Sequence, residues 1–353
     1  MRHFLLLVCF LPFYHYGQIG GSAHFNFLEL PSFAHLSGLG GSNVSSYSND
    51  GSMFLANPSL LYDSTSFYLG LHHQFLFAQT HMSAFTYVHR FSRSGVWAIG
   101  VQHLNYGTFT QTDFLGNELG TFRAYDYAIT VAKSHTIGNV SMGIATKLAQ
   151  SRIEVYQMSA SLWDVGGNFK HPHADWRIGV VLKNVGFRLS AYAGAPPFES
   201  PFDVMIGTSY KPFRMPVRFS VTLRQLHRFM KLDANTSFET PILSLDGTNH
   251  NSSQSVSAFN RFSRHLVLGG ELLLSSHVHI RLGYNFLTRR ELHIDLDRFV
   301  FSGFSCGLAI KLRKFDFGYS YYRYHVAAAT HQVSLLLNMR EWFGSERFMF
   351  IVE

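Results

Sequence analysis

Apolar and polar positions alternate along most of this chain, and the alternation barely pauses after Ser66. In "HVHIRLGYNF" (277–286), Val278, Ile280, Leu282, Tyr284 and Phe286 fall on one side of an extended chain. His277, His279, Arg281, Gly283 and Asn285 fall on the other. "VSMGIATKLA" (140–149) sets Val140, Met142, Ile144, Thr146 and Leu148 against Ser141, Gly143, Ala145, Lys147 and Ala149. "FDFGYSY" (315–321) sets Phe315, Phe317, Tyr319 and Tyr321 against Asp316, Gly318 and Ser320. Successive side chains of a β-strand point to opposite faces, so a period of two predicts strands.

The pattern predicts strands at 66–77, 80–91, 94–106, 121–136, 138–151, 153–169, 175–190, 202–211, 216–229, 262–274, 276–288, 299–313, 314–326 and 329–340. That is fourteen, an even number. The long connections follow the third, seventh, ninth and eleventh segments: "YGTFTQTDFLGNELG", "SAYAGAPPFESP", Met230 to Arg261, and "TRRELHIDLDR". Connections after even-numbered segments are short, such as "SRSG", "SHTIG" and "SSH". All long loops therefore gather on one rim. Even strand number, short turns at one rim and long loops at the other are properties of bacterial transmembrane barrels.

Composition decides which face is which. Charged residues are 14% of the chain against aromatics at 16%, well below the roughly 25% charge of ordinary soluble domains. A soluble sandwich hides its bulky apolar face and wets its polar one. Here the polar positions are mostly Gly, Ala and Ser, and the apolar ones carry Tyr, Trp and Phe near strand ends. This is the arrangement of a barrel with aromatic girdles facing lipid and a polar interior. The expected fold is thus all-β: a 14-stranded antiparallel transmembrane β-barrel of the outer membrane, spanning 66–340. The net charge of +7 is spread singly along the chain, which argues against a nucleic-acid surface.

Two segments flank that barrel. "FLLLVCFLPF" (4–13) behind Arg2 and His3 reads as a secretory signal peptide, residues 1–17, with cleavage near Gly17 and Gln18. Its apolar core is too short to span a bilayer. Cys9 lies in this leader, which leaves Cys306 without an intramolecular disulfide partner. Residues 18–65 carry glycine and short apolar groups and are expected to form a plug inside the lumen, with Leu28, Leu30, Pro31, Leu39, Gly40, Gly41, Asn57 and Pro58 as its packing residues. A disordered tail is the plainer alternative. Residues 341–353 form a C-terminal tail.

The runs "IGGSAHFNFLELPSFAHLSGLGG" (19–41) and "LANPSLL" (55–61), together with "NYGTFTQTDFLGNELGTFRAYDYAITVAKS" (105–134), "GVVLKNVG" (179–186) and "HQVSLLLNM" (331–339), resemble the PorV/PorQ family of FadL-like outer-membrane barrels that serve the type IX secretion system. His24, His35 and "FAHLSG" depart from that pattern. The resemblance implies a FadL-like barrel acting as a non-enzymatic surface anchor, which holds PorZ, with PorU and PorV, in an attachment complex. Candidate docking residues in the long loops are Asn117, Glu118, Pro196, Pro197, Phe198, Asp246 and Asn249. The alternative is a FadL-like channel for hydrophobic small molecules, which needs an apolar pocket and a kink or opening in the wall.

Catalytic and metal motifs are weak throughout. "GFSCG" (303–307) fits G-x-S-x-G, but the sequence after it continues to alternate, whereas a nucleophile elbow needs a strand-to-helix turn. Ser305 is expected on the small inward face of a wall strand, with Cys306 outward. His277 and His279 share a face, and His171 and His173 share a turn, yet neither pair has the third ligand that zinc requires. Glu291, Asp295 and Asp297 lack the glycine and spacing of a calcium loop. No cofactor, metal or enzymatic activity is expected.

Overall fold

The computed structural model describes residues 24–46, 48–228, 262–291, 302–323 and 329–343. The expected signal peptide, most of the tail, Asp246, Asn249, Asp295 and Asp297 lie outside the described residues. Within them the fold is a closed antiparallel barrel of fourteen strands, each paired with its sequence neighbours, and the first with the last. The strands are β1 (Tyr68–Phe75), β2 (His81–Phe91), β3 (Gly95–Thr112), β4 (Glu118–Ile137), β5 (Val140–Ile153), β6 (Tyr156–Lys170), β7 (Asp175–Ser190) and β8 (Asp203–Lys211). The circuit continues through β9 (Val217–Leu223), β10 (Leu266–Leu273), β11 (Val278–Asn285), β12 (Phe304–Lys311), β13 (Phe315–Tyr322) and β14 (Thr330–Asn338). Closure pairs Tyr68 with Asn338 and Phe75 with His331. Closing the ring leaves no edge strand among the described residues, the condition for crossing a hydrocarbon layer.

The alternation sorts by face as the sequence implies. Along β5, Ser141, Gly143, Ala145, Lys147 and Ala149 are buried, while Val140, Met142, Ile144 and Leu148 are exposed. Along β11, Arg281, Gly283 and Asn285 are buried and Leu282 is exposed. The exposed face is aliphatic in the middle of β4, β5 and β7, carries rings in mid-strand at Phe85, Phe219, Phe317 and Tyr319, and has Trp176, Tyr210 and Phe315 near the short-turn rim. That is a wall that presents hydrocarbon side chains to lipid and girdle aromatics to the interface.

One expectation fails. "YGTFTQTDFLGNELG" is not a long loop. β3 and β4 run to 18 and 20 residues and enclose a turn of five. A transmembrane strand needs only about 9–11 residues, so this hairpin rises beyond the rest of the rim. Threonines and phenylalanines in it fit a pleated ribbon, with Phe109 and Phe122 in stacked contact at 5.4 Å. Strands β8 to β14 have only seven to nine residues, so the wall is tall on one side and short on the other. A second difference lies after β11. Residues Phe286–Glu291 turn into a short helix where the alternation suggests more strand.

Candidate functional site

Residues 24–46 and 48–65 sit within the barrel and contact opposite sides of its inner wall. The short helix α1 (Ala34–Gly38) lies against β11 to β14. The Ala34 amide donates to Ser334 Oγ at 2.8 Å, Ser37 hydrogen-bonds to Gln332, and Gln332 Nε2 donates to the Pro31 carbonyl. The chain leaves α1 through Gly40 and Gly41, both at positive φ (86° and 81°), a conformation cheap only for glycine. There Ser305 Oγ accepts from the Gly40 amide at 2.9 Å and donates to the Gly38 carbonyl at 3.2 Å, while Asn285 Nδ2 donates to the Gly40 carbonyl. The serine of "GFSCG" is therefore a buried clamp on the N-terminal segment, facing inward, with Cys306 on the other face.

On the far wall the turn Pro58–Leu60 packs against β4, β5 and β6. Asn57 accepts from the Ser59 amide at 3.0 Å and donates to the Val44 carbonyl at 2.9 Å. Ser134 Oγ donates to the Leu61 carbonyl, Ser209 Oγ to the Ser45 carbonyl and Lys183 Nζ to the Leu55 carbonyl. Apolar packing fills the rest. Phe33, Leu36, Met53, Phe54, Leu55, Leu60 and Leu61 contact Val88, Val96, Ala98, Ala132 and Ala145 of the wall. Small inward side chains are what allow a folded segment to fit within fourteen strands.

Among the residues expected to pack, Leu28 and Leu39 are buried, Leu30 is half-buried, Pro31 and Gly40 bond to the wall as described, Gly41 lies against Tyr322, Asn57 against Gly166 and Pro58 against Gly143. The docking candidates scatter. Asn117 sits at the tip of the β3–β4 hairpin, where its amide and side chain both donate to Asp113, and Glu118 begins β4. Pro196, Pro197 and Phe198 lie in the connection after β7. Phe198 turns back onto the N-terminal segment, stacking on His24 at 5.7 Å and meeting Phe25 edge-on at 6.2 Å.

Sequence reasoning missed the charges inside. Lys147 Nζ lies 2.6 Å from Asp164 Oδ2, and both side chains are essentially buried. Lys147 also donates to Asn184 Oδ1, and the Asn184 amide donates to Asp164 Oδ1. Asn184 holds φ 57° at a bulge, where Asp164 alone on β6 stands opposite Lys183 and Asn184 on β7. Arg224 lies 3.6 Å from both Asp203 and Glu29, and so ties wall to segment. A second cluster joins Glu271 to Arg281 at 2.9 Å and Arg218 at 3.1 Å. The inward register of Lys147, Lys183 and Arg281 was readable; their partners were not, because Asp164 and Glu271 stand on neighbouring strands and meet Lys147 and Arg281 only once the strand register is set. The two interior cavities beside these clusters measure only about 30 Å³ each.

A larger cavity, about 610 Å³, opens at the long-loop rim between the start of the segment and the tall wall. Phe25, Tyr106, Ile153, Tyr156, Met158 and Tyr192 line it with rings and aliphatic groups. Asp126 and Ser151 form its polar edge, and the Tyr106 hydroxyl donates to Asp126 Oδ2 at 2.7 Å. Among the described residues no group of three His, Cys, Asp or Glu could hold a metal ion.

Neither a protein-family model nor a curated protein matches this chain. Solved structures do. The CymD monoaromatic hydrocarbon channel superposes over 89% of this chain and 97% of its own, with 13% identity and a TM-score of 0.50. A deltaS2 mutant of the TodX monoaromatic hydrocarbon channel covers 88% and 98%, with 10% identity and a TM-score of 0.48. The likeness to CymD shows the fold alone, a closed antiparallel barrel.

Proposed function

We propose that this protein is an outer-membrane channel of the FadL-like kind that takes up hydrophobic small molecules at its long-loop rim. One observation carries the reading: the cavity of about 610 Å³ walled by Phe25, Tyr106, Tyr156, Met158 and Tyr192. A site of that size, mostly apolar with a few fixed polar groups, is the usual form of a small-molecule site. The fold shared with CymD, a monoaromatic hydrocarbon channel, adds support. Onward passage requires residues 24–65 to shift, because they fill the lumen below the cavity. Titration of the detergent-solubilised protein with ethylbenzene, followed by tyrosine fluorescence and calorimetry, tests this. Saturable binding is expected, with at least about tenfold weaker affinity, or about 1.4 kcal/mol, in Met158→Trp, which fills the cavity. Equal, non-saturable partitioning into both proteins and empty micelles would sink it.

A second reading has its own support. A lumen packed by clamped hydrogen bonds suits a static anchor, and the β3–β4 hairpin carries exposed Phe114, Leu115 and Leu119 at and beside its tip. In this reading the barrel is the outer-membrane anchor of a type IX attachment complex and holds PorZ, with PorU and PorV, through its outer loops. Isolation from native outer membranes separates the two. Stoichiometric co-purification of those partners supports the anchor, and their absence under mild extraction counts against it.

A further inference from the structure

The lipid-facing wall carries a notch that neither reading uses. Pairing places outward side chains in rows across β4 to β7 near the short-turn rim. The first row is His135, Met142, Gly167 and Val180, and the next is Lys133, Ile144, Val165 and Leu182. Every position of the first row has a side chain except Gly167, where nothing lies within 4 Å of the space a Cβ would occupy. The result is an apolar depression of about 540 Å³, floored by the backbone of Gly167 and walled by Met142, Ile144, Val165, Val180 and Leu182.

Its edge is cationic. Lys133 and His135 border the notch. Lys133 Nζ is held 5.0 Å from the ring centre of Trp97, whose indole N–H donates to Ser94 in the adjoining turn. Lys170, His171 and His173 stand at the neighbouring β6–β7 turn. Of the nearby carboxylates, Asp175 at the end of that turn is engaged by Arg218 at 3.2 Å, and Asp164 beside Val165 faces inward to Lys147. An apolar slot lies one or two strand rungs, roughly 3.4 Å per residue, from a girdle tryptophan and an ammonium group. Lys133 and His135 on β4 thus flank a slot whose floor lies two strands away on β6, so a phosphate at the cationic edge and an acyl chain in the slot would be neighbours, as they are in a phospholipid.

We propose that this notch is a binding site for one anionic phospholipid of the leaflet at the short-turn rim. An acyl chain lies over Gly167 between Met142 and Val180, and the head-group phosphate meets Lys133 and His135. The site is independent of both functional readings, since it faces away from the lumen and the outer loops. Native mass spectrometry of the full-length protein, released from detergent containing equal phosphatidylglycerol and phosphatidylethanolamine, tests it. The wild type retains one phosphatidylglycerol in preference to phosphatidylethanolamine. Gly167→Leu, whose side chain projects into open space, loses the retained lipid of either kind. Lys133→Gln keeps the chain slot and loses selectivity by about fivefold, the effect of one cation at an anionic surface. Equal retention of both lipids by the wild type, or undiminished retention by Gly167→Leu, overturns the proposal.

Discussion

The side-chain oxygen of Asn57 lies directly against the backbone of Gly166, so close that a Cβ at that glycine would collide with it. On one side is the turn that opens "NPSLL", on the other an inward position of β6. The neighbouring strand repeats the arrangement, since a Cβ at Gly143 would strike the backbone of Pro58. The wall is thus relieved of side chains where the segment touches it. Gly166→Leu is expected to expel the 57–61 turn while leaving the barrel closed. Limited proteolysis would then cut within residues 50–65 in the variant and not in the wild type, with unchanged β-sheet circular dichroism.

Ser305 offers a milder lesion of the same contact. Its hydroxyl serves the Gly40 amide and the Gly38 carbonyl together. Removing it leaves the buried Gly38 carbonyl short of a partner, at about 1–3 kcal/mol when unsatisfied, while the Gly40 amide keeps only its longer bond to the Ser37 carbonyl at 3.3 Å. Ser305→Ala should lower the midpoint of thermal unfolding measurably, and Ser305→Thr should recover part of the loss. An unchanged midpoint in the alanine variant would remove the clamp from the account.

The Lys147–Asp164 pair makes a prediction with a reversal in it. Lys147→Met leaves Asp164 buried and unpaired, which costs about 3–5 kcal/mol. Adding Asp164→Leu removes the orphan charge, so the double variant should unfold closer to wild type than the single one. A double variant less stable than Lys147→Met would show that Asp164 contributes mainly through its bond to the Asn184 amide.

At the hairpin tip, Asp113 accepts from Asn117 through both its side chain and its amide, and from the Leu115 amide. The Asn117 side-chain bond, then its backbone bond, hold the Asp113 carboxyl below its ordinary value. A depressed carboxyl pKa contributes order that is fully present above the unfolded value. That order is lost as pH falls through the folded value. The Asn117 amide should therefore stay protected from hydrogen exchange at neutral pH and lose protection in the acid range below the usual aspartate pKa. Asp113→Ala should show no such pH dependence.

Much of this was legible from alternation alone, and the limits have physical causes. Period two assigns faces locally, so the inward register of Gly143, Lys147, Arg281 and Ser305 could be read without any partner in view. What each inward residue meets depends on closure, which brings Ser305 against Gly40 across 265 positions. The long β3–β4 ribbon escaped for another reason. Its threonines and glycines blur the alternation, and bulges at Asn105/Thr108 and Gln111/Thr112 break the register twice. The rim cavity could not be seen at all, because Phe25, Tyr106, Met158 and Tyr192 come from four separate stretches of chain.

The seating of residues 24–65 inside the wall is the point on which the rest depends, and Gly318 gives a direct way to measure it. A Cβ at Gly318 would lie 3.5 Å from the Cβ of Ala34, at the close end of the range for a disulfide. In an Ala34→Cys, Gly318→Cys variant oxidised in intact outer membranes, a cross-linked species should form nearly to completion and shift on non-reducing gels. If both introduced thiols instead stayed free, and the one replacing Ala34 reacted with a bulky water-soluble maleimide, the segment would lie outside the lumen and the account would be contradicted.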